Sequence, residues 1–473
     1  MQHIDQIYID GVFVTPHGTE WFDLYNPSTE QVIGRVRLAD EHDARDAIAA
    51  ATRAFPAFSR TSKAERIALL HRMADAVEAR QPVLLDAIVE EYGAPVSRAG
   101  WMAAHASSVL REAAKVLHDY AFVRQMGTAQ VVMQPLGVAG LITPWNSDAG
   151  FICGKLAAAI AAGCTAVIKP SEMSAIQTSI VTQALHEAGL PAGVFNIVTG
   201  RGETVGAEIS THPGVAKISF TGSTAVGKTI LRAGAGTLKR VTLELGGKSP
   251  MLILDDADFA TAVPLAIQAG FMNSGQACIA GTRILVPEAR LDEFERRVKI
   301  EVGRTKAGDP RDPEIAIGPM VSQKQWDRVQ RYIRIGIDEG ARLIAGGEGR
   351  PEGIEAGWFV RPTVFSGVHN DMTVAREEIF GPVLSIITYR DTEEAIAIAN
   401  DTAYGLQAYV VSADAQRAHA VAARLDAGRV LVNTLAHEPA APFGGFKQSG
   451  IGREYGTFGL EAFLEPKAIL GVS

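Results

Sequence analysis

The sequence is poor in cysteine, with only Cys153, Cys164 and Cys278. An odd number of thiols without Cys-x-x-Cys spacing excludes a disulfide framework and a zinc ribbon, and we predict no metal site. Free thiols suit a reducing compartment. Residues 1–10 show no positive segment followed by an apolar run, so we expect a cytoplasmic protein without a secretory signal.

Long apolar runs and basic clusters are also missing. No stretch reaches the roughly 18 consecutive apolar residues that a membrane span needs. The net charge is -8 without a visible Lys/Arg face, which argues against nucleic acid or an anionic membrane as the main partner. With 47% hydrophobic and 21% charged residues, the 473-residue chain is expected to form two or three globular domains that bind a small molecule.

Helical and strand patterns alternate along most of the chain. Apolar spacing predicts N-terminal helices over Glu41–Phe55, Lys63–Tyr92 and Arg98–Tyr120. Short apolar strands then alternate with helices, including a helix over Gly154–Ala162, in two successive series. This order predicts an α/β fold with doubly wound, largely parallel sheets in two lobes. The segment Asp309–Val321 is predicted to be a surface loop.

Cys278 lies in a run of small residues between a helical and a strand pattern. These neighbours favour an accessible sulfur over a packed one. A thiol becomes a nucleophile when a helix end, a cation or a base raises its thiolate fraction. Cys153 and Cys164 lie in or beside an apolar helical pattern, and we interpret them as buried and unreactive.

Two other residues would assist a thiol that attacks a carbonyl carbon. Asn146 ends a strand pattern, and its amide is a suitable donor to an oxyanion, although an ordinary asparagine turn is the alternative. Glu244 follows a strand pattern and is flanked by leucines. That apolar setting would raise its pKa and suit a general base.

Signals for a nucleotide are weaker, and no complete G-x-G-x-x-G motif occurs. Gly222 and Ser223 follow a strand and begin a helix whose backbone N–H groups would hold a pyrophosphate, but a plain N-cap explains them equally. Lys169 and Glu172 fit either an adenosine-ribose site or a solvated ion pair. Because Glu172 would repel a 2′-phosphate, a dinucleotide site favours NAD without excluding NADP.

Together these motifs resemble the NAD(P)-dependent aldehyde dehydrogenase superfamily nearly end to end. Further segments typical of that family are Tyr25-Asn-Pro, Glu377-Glu-Ile-Phe-Gly-Pro-Val383, Asn400-Asp-Thr-Ala-Tyr-Gly405, Pro442-Phe-Gly-Gly-Phe-Lys-Gln-Ser-Gly450 and Phe463-Leu-Glu-Pro-Lys467. The resemblance implies a homodimer or homotetramer and three domains. These are a Rossmann-like cofactor domain (1–121 and 142–245), an α/β catalytic domain (246–440) and a small β oligomerisation arm (122–141 and 455–473).

The resemblance also implies a reaction, the oxidation of an aldehyde to a carboxylic acid with NAD(P)+. Cys278 would form a thiohemiacetal and then a thioester, with Asn146 and the Cys278 backbone N–H holding the oxyanion. Glu244 would activate water, and Lys155 and Glu454 match positions sometimes assigned to proton relay. The implied cofactor contacts are Thr143, Trp145, Lys169, Ser171, Glu172, Gly222, Ser223, Gly227, Leu245, Glu378 and Phe380.

Departures from the family pattern concern the substrate. Ser147 and Asp148 stand where an aromatic residue and proline are common, and Gly154 replaces a frequent tryptophan. The small residues predict a wide tunnel for a medium-to-large aliphatic or aromatic aldehyde. Asp148 disfavours a strongly anionic substrate, whereas His437 leaves that question open. The implied substrate-pocket residues are Ser147, Phe151, Gly154, Ile279, Leu435, His437 and Phe443.

Three alternatives are weighed against this interpretation. CoA-acylating semialdehyde dehydrogenases share the cysteine chemistry but usually lack the glutamate found here at Glu244. A cysteine hydrolase would need a histidine near Cys278, and the local motif contains none. A non-catalytic protein on the same scaffold is disfavoured because Cys278, Glu244 and Asn146 are all present.

Overall fold

The computed structural model describes residues 2–471, which form four β-sheets and fifteen α-helices. The first part of the chain contains β1 Gln2–Ile4, β2 Ile7–Ile9, β3 Val12–Val14, β4 Trp21–Asn26, β5 Gln31–Arg37, α1 Glu41–Phe58, α2 Lys63–Ala79, α3 Gln81–Ala87 and α4 Val96–Asp119. The next part contains β6 Val123–Met126, β7 Ala129–Pro135, β8 Val138–Ile142, α5 Asp148–Ala162, β9 Thr165–Lys169, α6 Ala175–Glu187, β10 Phe195–Ile197, α7 Ala207–Thr211, β11 Val215–Thr221, α8 Thr224–Ala235 and β12 Arg240–Glu244.

The remaining elements form the second α/β series and the C-terminal segment. They are β13 Pro250–Ile253, α9 Phe259–Phe271, β14 Arg283–Pro287, α10 Leu291–Arg304, α11 Gln323–Asp338, β15 Arg342–Ala345, β16 Thr363–Ser366, α12 Thr373–Arg376, β17 Val383–Tyr389, α13 Thr392–Asn400, β18 Gln407–Val411, α14 Ala415–Ala422, β19 Arg429–Val432, β20 Gly450–Ile451, α15 Gly456–Glu461 and β21 Leu464–Ile469. No helix within residues 2–471 is both long and apolar enough to span a bilayer.

Two large sheets confirm the predicted α/β fold. The first has the strand order β20-β12-β11-β8-β9-β10-β2-β3, and the second has β15-β16-β17-β14-β13-β18-β19. Their central strands are parallel, while β2, β3, β15 and β20 pair antiparallel at the edges. Ligands of parallel α/β sheets bind at the carboxyl ends of the strands, so this topology locates the candidate site.

Helices α2, α4, α5 and α6 cover one face of the first sheet, and their packing creates the largest apolar core. Local sequence defines the helix starts. Asp40 and Ser62 form capping boxes with Asp43 and Glu65, so the first backbone N–H groups of α1 and α2 are bonded. The separate sheet β21-β7-β6 joins the C-terminal strand to the hairpin at residues 123–135.

The prediction of one helix over Lys63–Tyr92 is wrong. The chain breaks at Arg80, because Pro82 lacks the N–H that a continuous helix needs and instead occupies the first turn of α3. A π-helical turn at Ile88–Tyr92 follows and ends at Gly93, whose φ is 79°. Helix α5 also begins six residues earlier than predicted, because Gly150 and Gly154 obscure its helical pattern.

The core predicts the effect of one substitution. Ile160 on α5 is fully buried, so Ile160→Ala should lower the free energy of unfolding by about 2–5 kcal/mol through lost burial and the cavity left behind. Ile300→Ala on the solvent side of α10 is the matched control, because Ile300 is 57% exposed. Urea unfolding monitored by circular dichroism compares them. Equal midpoints for the two variants would contradict this packing.

Candidate active site

Cys278 lies in a strained loop between α9 and β14. Asn273 and Ser274 have φ values of 54° and 58°, a left-handed conformation that non-glycine residues rarely adopt. Gly275 follows with φ 73°, and any Cβ there would lie 2.2 Å from the carbonyl of Gly381. The loop therefore holds the thiol in one position at the cost of local strain.

Side-chain hydrogen bonds fix this loop to the buried segment 318–321. The Gln276 amide donates to the Pro319 carbonyl at 3.2 Å, and its oxygen accepts from the Val321 N–H at 3.0 Å. Ser274 accepts from the Gly318 N–H at 2.9 Å. The prediction that Asp309–Val321 is a surface loop is thus wrong for residues 317–321, which are buried beneath the cysteine loop.

The surroundings of Cys278 keep the thiol protonated in the free protein. Burial raises the pKa of Cys278 to about 12, and the carboxyl groups of Glu378 and Glu244 add to this effect. The Arg429 guanidinium and the cysteine's own backbone N–H act in the opposite direction. A cationic neighbour is therefore present but does not outweigh desolvation. Cys153 and Cys164 are fully buried, as predicted.

Asn146 stands directly beside the cysteine loop. Its side-chain N–H donates to the Gln276 carbonyl at 3.1 Å, and its backbone oxygen accepts from the Asn273 amide at 3.2 Å. Gln276 lies two residues before Cys278 in the sequence, so these bonds hold the Asn146 amide beside the thiol. The two side chains line the same cleft, so a second N–H of the amide can serve an oxygen atom bound next to the sulfur.

Glu244 ends β12 and is buried, and neither carboxyl oxygen has a hydrogen-bond partner in the part of the chain that the structure describes. Burial raises the pKa of Glu244 well above its usual value, and the Glu454 carboxylate raises it further, against the effect of Lys155. Gly444, with a φ of 152°, has no side chain and so leaves room beside the Glu244 carboxyl. A Cβ on Gly444 would lie 2.7 Å from Glu244 Oε1. Such an unpartnered carboxyl can accept a proton or bind water.

Lys155 and Glu454 form a buried ion pair behind Glu244. Lys155 also donates to the Ser219 hydroxyl at 2.9 Å, and that hydroxyl donates to Glu454 at 3.0 Å. Lys217, which the sequence analysis missed, is buried nearby, and burial lowers its pKa to about 7. A lysine inside the apolar strand pattern of β11 was the signal that could have found it.

Glu172 and Lys169 lie at the carboxyl end of β9. The Lys169 ammonium is 3.2 Å from the Glu172 carboxylate, and Arg201, which was not predicted, approaches the same carboxylate at 3.3 Å. Burial alone would raise the pKa of Glu172, but the two cations lower it below its usual value. Glu172 is therefore ionised at neutral pH. Ser171 caps the following turn by accepting from the Met173 N–H.

The start of α8 forms the neighbouring part of this face. Ser223 caps the helix by accepting from the Val226 N–H at 3.4 Å, and the Gly222 N–H donates to the Glu244 carbonyl. Gly227 lies against Leu245 so closely that a Cβ would be 2.5 Å from that side chain. The exposed N–H groups of this helix start are suited to an anionic group.

Glu378, Phe380 and Trp145 lie between the two large sheets. The Glu378 carboxyl accepts from the Gly247 N–H at 3.0 Å, and burial raises its pKa to about 7. Phe380 has a strained φ of 63°, and its ring meets the Trp145 ring edge to face at 5.5 Å between centroids. Together with the polar carboxyl ends of β8, β9 and β11, these three residues form one face that extends toward Cys278. An elongated dinucleotide would need a face of this kind.

A cleft of about 1230 Å³, including its open mouth, leads to Cys278. It is lined by six of the seven predicted pocket residues, namely Ser147, Phe151, Ile279, Leu435, His437 and Phe443. Gly154 instead lines an adjoining groove of about 700 Å³ that Phe151 also borders. The cleft is also lined by residues that no motif predicts, because their sequence surroundings have nothing in common: Arg98, Trp101, His105, Tyr409 and Arg429.

The argument from Asp148 against an anionic substrate is wrong. Asp148 is fully buried and accepts from the hydroxyls of Thr143 and Thr178 at 3.2 and 2.8 Å. Burial raises its pKa to about 7, and its side chain is absent from the cleft wall. It joins α5 to α6 and β8 instead of facing a substrate. The Thr143 hydroxyl is also engaged in this internal contact.

Comparison with known proteins gives consistent matches over the whole chain. The pattern of the aldehyde dehydrogenase family matches residues 13–469. The 3-succinoylsemialdehyde-pyridine dehydrogenase of a Pseudomonas species is 46% identical over 100% of this chain and 99% of its own length.

Solved structures agree with these sequence matches. Aldehyde dehydrogenase C of Pseudomonas syringae, a mutant crystallised with NAD+ and octanal, has a TM-score of 0.98 at 45% identity, covering 99% of this chain and 97% of that one. An aldehyde dehydrogenase of Mycobacterium tuberculosis in complex with NAD+ has a TM-score of 0.96 at 38% identity, covering 100% and 99%.

The raised pKa of Cys278 predicts how the thiol reacts with iodoacetamide. Because the thiolate is the nucleophile and the pKa is about 12, alkylation should be slow at pH 7 and about tenfold faster for each pH unit up to pH 9. Mass spectrometry of the Cys278 peptide measures the rate, with Cys278→Ala as the control. A rate that is already constant across this range would show that the thiol ionises near neutral pH.

Proposed function

Because the chain belongs to the aldehyde dehydrogenase family, we propose that Cys278, Asn146 and Glu244 oxidise an aldehyde to a carboxylic acid, with NAD+ as oxidant and water as the acyl acceptor. One observation carries this assignment. The Asn146 amide bonds to the loop that contains the Cys278 thiol, and both side chains line one open cleft. The unpartnered Glu244 carboxyl, whose charge acts on that thiol, supplies the third component.

Cys278 begins the reaction as a nucleophile. The thiol transfers its proton to Glu244, whose raised pKa makes the carboxylate a stronger base than an exposed one, and the sulfur bonds to the aldehyde carbon. The carbonyl oxygen becomes an oxyanion that the Asn146 amide and the Cys278 backbone N–H stabilise. With NAD+ bound as the hydride acceptor, this thiohemiacetal would lose a hydride and leave a thioester on Cys278.

Residues next to both large sheets are suited to hold NAD+. When bound, NAD+ supplies the hydride acceptor. Lys169 and Glu172 fit the adenosine ribose, the start of α8 fits the pyrophosphate, and Glu378 with Phe380 fits the nicotinamide riboside. Ionised Glu172 repels a 2′-phosphate. NAD is therefore preferred, although Arg201 reduces the repulsion that NADP would meet.

Glu244 completes the reaction by activating water. Its proton leaves first, by way of a water molecule between Glu244 and the cluster of Lys155, Ser219 and Glu454, to which neither Glu244 oxygen is bonded directly. The carboxylate then takes a proton from a second water molecule that attacks the thioester carbon. The acid leaves, and the departing Cys278 sulfur takes back a proton from Glu244, which restores the thiol and the carboxylate. A carboxyl in this place supports water over coenzyme A as the acceptor.

The cleft supports a medium-to-large aliphatic or aromatic substrate. Phe151, Leu435 and Phe443 provide apolar surface beyond the reacting sulfur, and each buried methylene contributes about 0.8 kcal/mol. The cleft greatly exceeds the volume that a two-carbon aldehyde fills. Octanal bound to the P. syringae relative agrees with this assignment.

The remaining assignments concern domains, assembly and compartment. The cofactor domain, the catalytic domain and the arm are proposed with the predicted boundaries, of which residues 1, 472 and 473 lie outside the described part of the chain. The arm sheet exposes Val123, Met126 and Ile469, which supports a homodimer or homotetramer. Three thiols without disulfides support the cytoplasm.

An aldehyde panel tests the proposed substrate class. Octanal and benzaldehyde should give kcat/KM values at least about tenfold above that of acetaldehyde, because they bury more apolar surface in the cleft. Absorbance of the reduced nucleotide is followed with NAD+ and NADP+ in parallel, and NAD+ should be preferred. Cys278→Ala is the inactive control. Equal kcat/KM for acetaldehyde and the larger aldehydes would refute the size preference.

Replacement of the base tests the proposed deacylation. Glu244→Gln should lower steady-state turnover at least about 100-fold, since general bases contribute 10²–10⁴. Because the same carboxyl takes the thiol proton, acylation should slow as well, but acyl-enzyme that does form at Cys278 should persist and be visible by mass spectrometry of the quenched enzyme. Deacylation in the parent enzyme should accelerate with pH as Glu244 loses its proton, above the usual carboxyl range.

One further measurement accompanies this experiment. Added coenzyme A should not yield acyl-CoA if water is the acceptor. Unchanged turnover in Glu244→Gln, or rapid formation of acyl-CoA, would remove the assigned role from this carboxyl.

A further inference from the structure

The wall of the substrate cleft carries two arginines that have no acidic partner. Arg98 and Arg429 both line the cleft, and neither forms a salt bridge within residues 2–471. Every aspartate and glutamate side chain of that described range is absent from the cleft lining. Both side chains are half-buried, and withdrawing a guanidinium from water without a counter-ion is costly, so the cleft is suited to a ligand that supplies the missing charge.

Arg429 is held in place by a row of hydrogen bonds that starts next to the catalytic loop. The Tyr409 hydroxyl donates to the Ile279 carbonyl at 2.8 Å, and the Gln407 amide donates to that hydroxyl. The Gln407 oxygen then accepts from Arg429 Nε at 2.6 Å. These hydrogen bonds fix the guanidinium on the cleft wall. They connect it to Ile279, the residue that follows Cys278.

His437 adds a hydrogen-bond donor beside Arg429. Its Nδ1 accepts from Arg429 Nη1 at 2.9 Å, which assigns the ring proton to Nε2. That Nε2–H is buried and has no partner in the described structure. Burial and the adjacent Arg429 lower the pKa of His437 to about 4, so the ring is neutral. The neighbouring acid, Glu438, is exposed and caps the Ala440 N–H.

Arg98 extends the donor surface along the cleft wall. Its guanidinium stacks 4.1 Å from the centre of the Trp101 ring, and Trp101 in turn stacks on His105. Arg98 Nε is buried and lacks a partner within the described chain, and the side chain forms no other hydrogen bond there. His105 meets His437 edge to face at 5.8 Å, so both arginines border one continuous surface.

We propose that the aldehyde substrate carries a carboxylate at the end remote from its carbonyl, and that Arg429, His437 and Arg98 bind this carboxylate. The proposal deepens the proposed function and rests on it. The apolar residues Phe151, Leu435 and Phe443 accommodate the chain between the two ends. A guanidinium binds a carboxylate through two parallel N–H bonds, which orients the chain as well as holding it.

Matched aldehydes with and without the carboxylate test this proposal. The probes are hexanal with 6-oxohexanoate, and benzaldehyde with 4-formylbenzoate, each assayed by NADH formation with the full-length enzyme. The carboxylated member of at least one pair should have a kcat/KM about tenfold or more above its neutral partner. Raising the ionic strength should reduce this ratio, because salt screens the attraction at the mouth.

Variants then assign the preference to particular side chains. Arg429→Met and Arg98→Met should each lower the ratio of the two kcat/KM values at least about tenfold, mainly through KM of the carboxylated aldehyde. Arg429→Lys should retain part of the ratio, since it keeps the charge but loses the planar fork. Arg334→Met is the matched control, because Arg334 is exposed on α11 and pairs with Glu348.

The possible outcomes separate this proposal from the one on which it rests. Neutral aldehydes oxidised as well as carboxylated ones would overturn the carboxylate site and leave the dehydrogenase assignment intact. Failure to oxidise any of the four probes would count against both. Thermal unfolding of each variant identifies misfolding, and if Arg429→Met does not fold, Arg98→Met and Arg429→Lys decide the question. A ratio that Arg334→Met lowers equally would overturn the assignment.

Discussion

The left-handed turn at Asn273–Gly275 is the constraint on which the candidate site depends. Two non-glycine residues adopt positive φ values there, and hydrogen bonds from Ser274 and Gln276 to the segment Gly318–Val321 compensate for the strain. The same turn brings the Gln276 carbonyl to the Asn146 amide. The nucleophile and the oxyanion donor are therefore positioned by one backbone conformation, which joins the two lobes at their interface.

Buried ionisable groups surround this turn, and their pKa values follow from packing. Desolvation raises the pKa values of Cys278, Glu244 and Glu378, while it lowers those of Lys217 and Lys248. The carboxyl groups and the lysines, which would be ionised in water, thus approach neutrality, and the thiol stays protonated. Proton transfer between such groups needs little separation of charge.

The sequence predicts most of this architecture because its signals are local. Strand-end motifs locate Asn146, Lys169 and Glu244, and small residues around Cys278 indicate the reactive loop. The sequence fails where contacts are distant. Nothing near Arg98 or Arg429 shows that they meet across one cleft, and Asp148 follows the Asn146 motif yet faces inward to two threonines. The break within Lys63–Tyr92 is a different kind of failure, because Pro82 is a local signal that the continuous helical spacing outweighed.

The division of the segment at residues 309–321 has a practical consequence. Residues 311–314 are exposed, whereas residues 317–321 are buried and carry the backbone groups that bind Ser274 and Gln276. Insertions of variable length are tolerable only in the first half, so a flexible tether for surface immobilisation belongs there. A single added residue in the second half would shift the register of those backbone partners, although it lies forty residues from the thiol in the sequence.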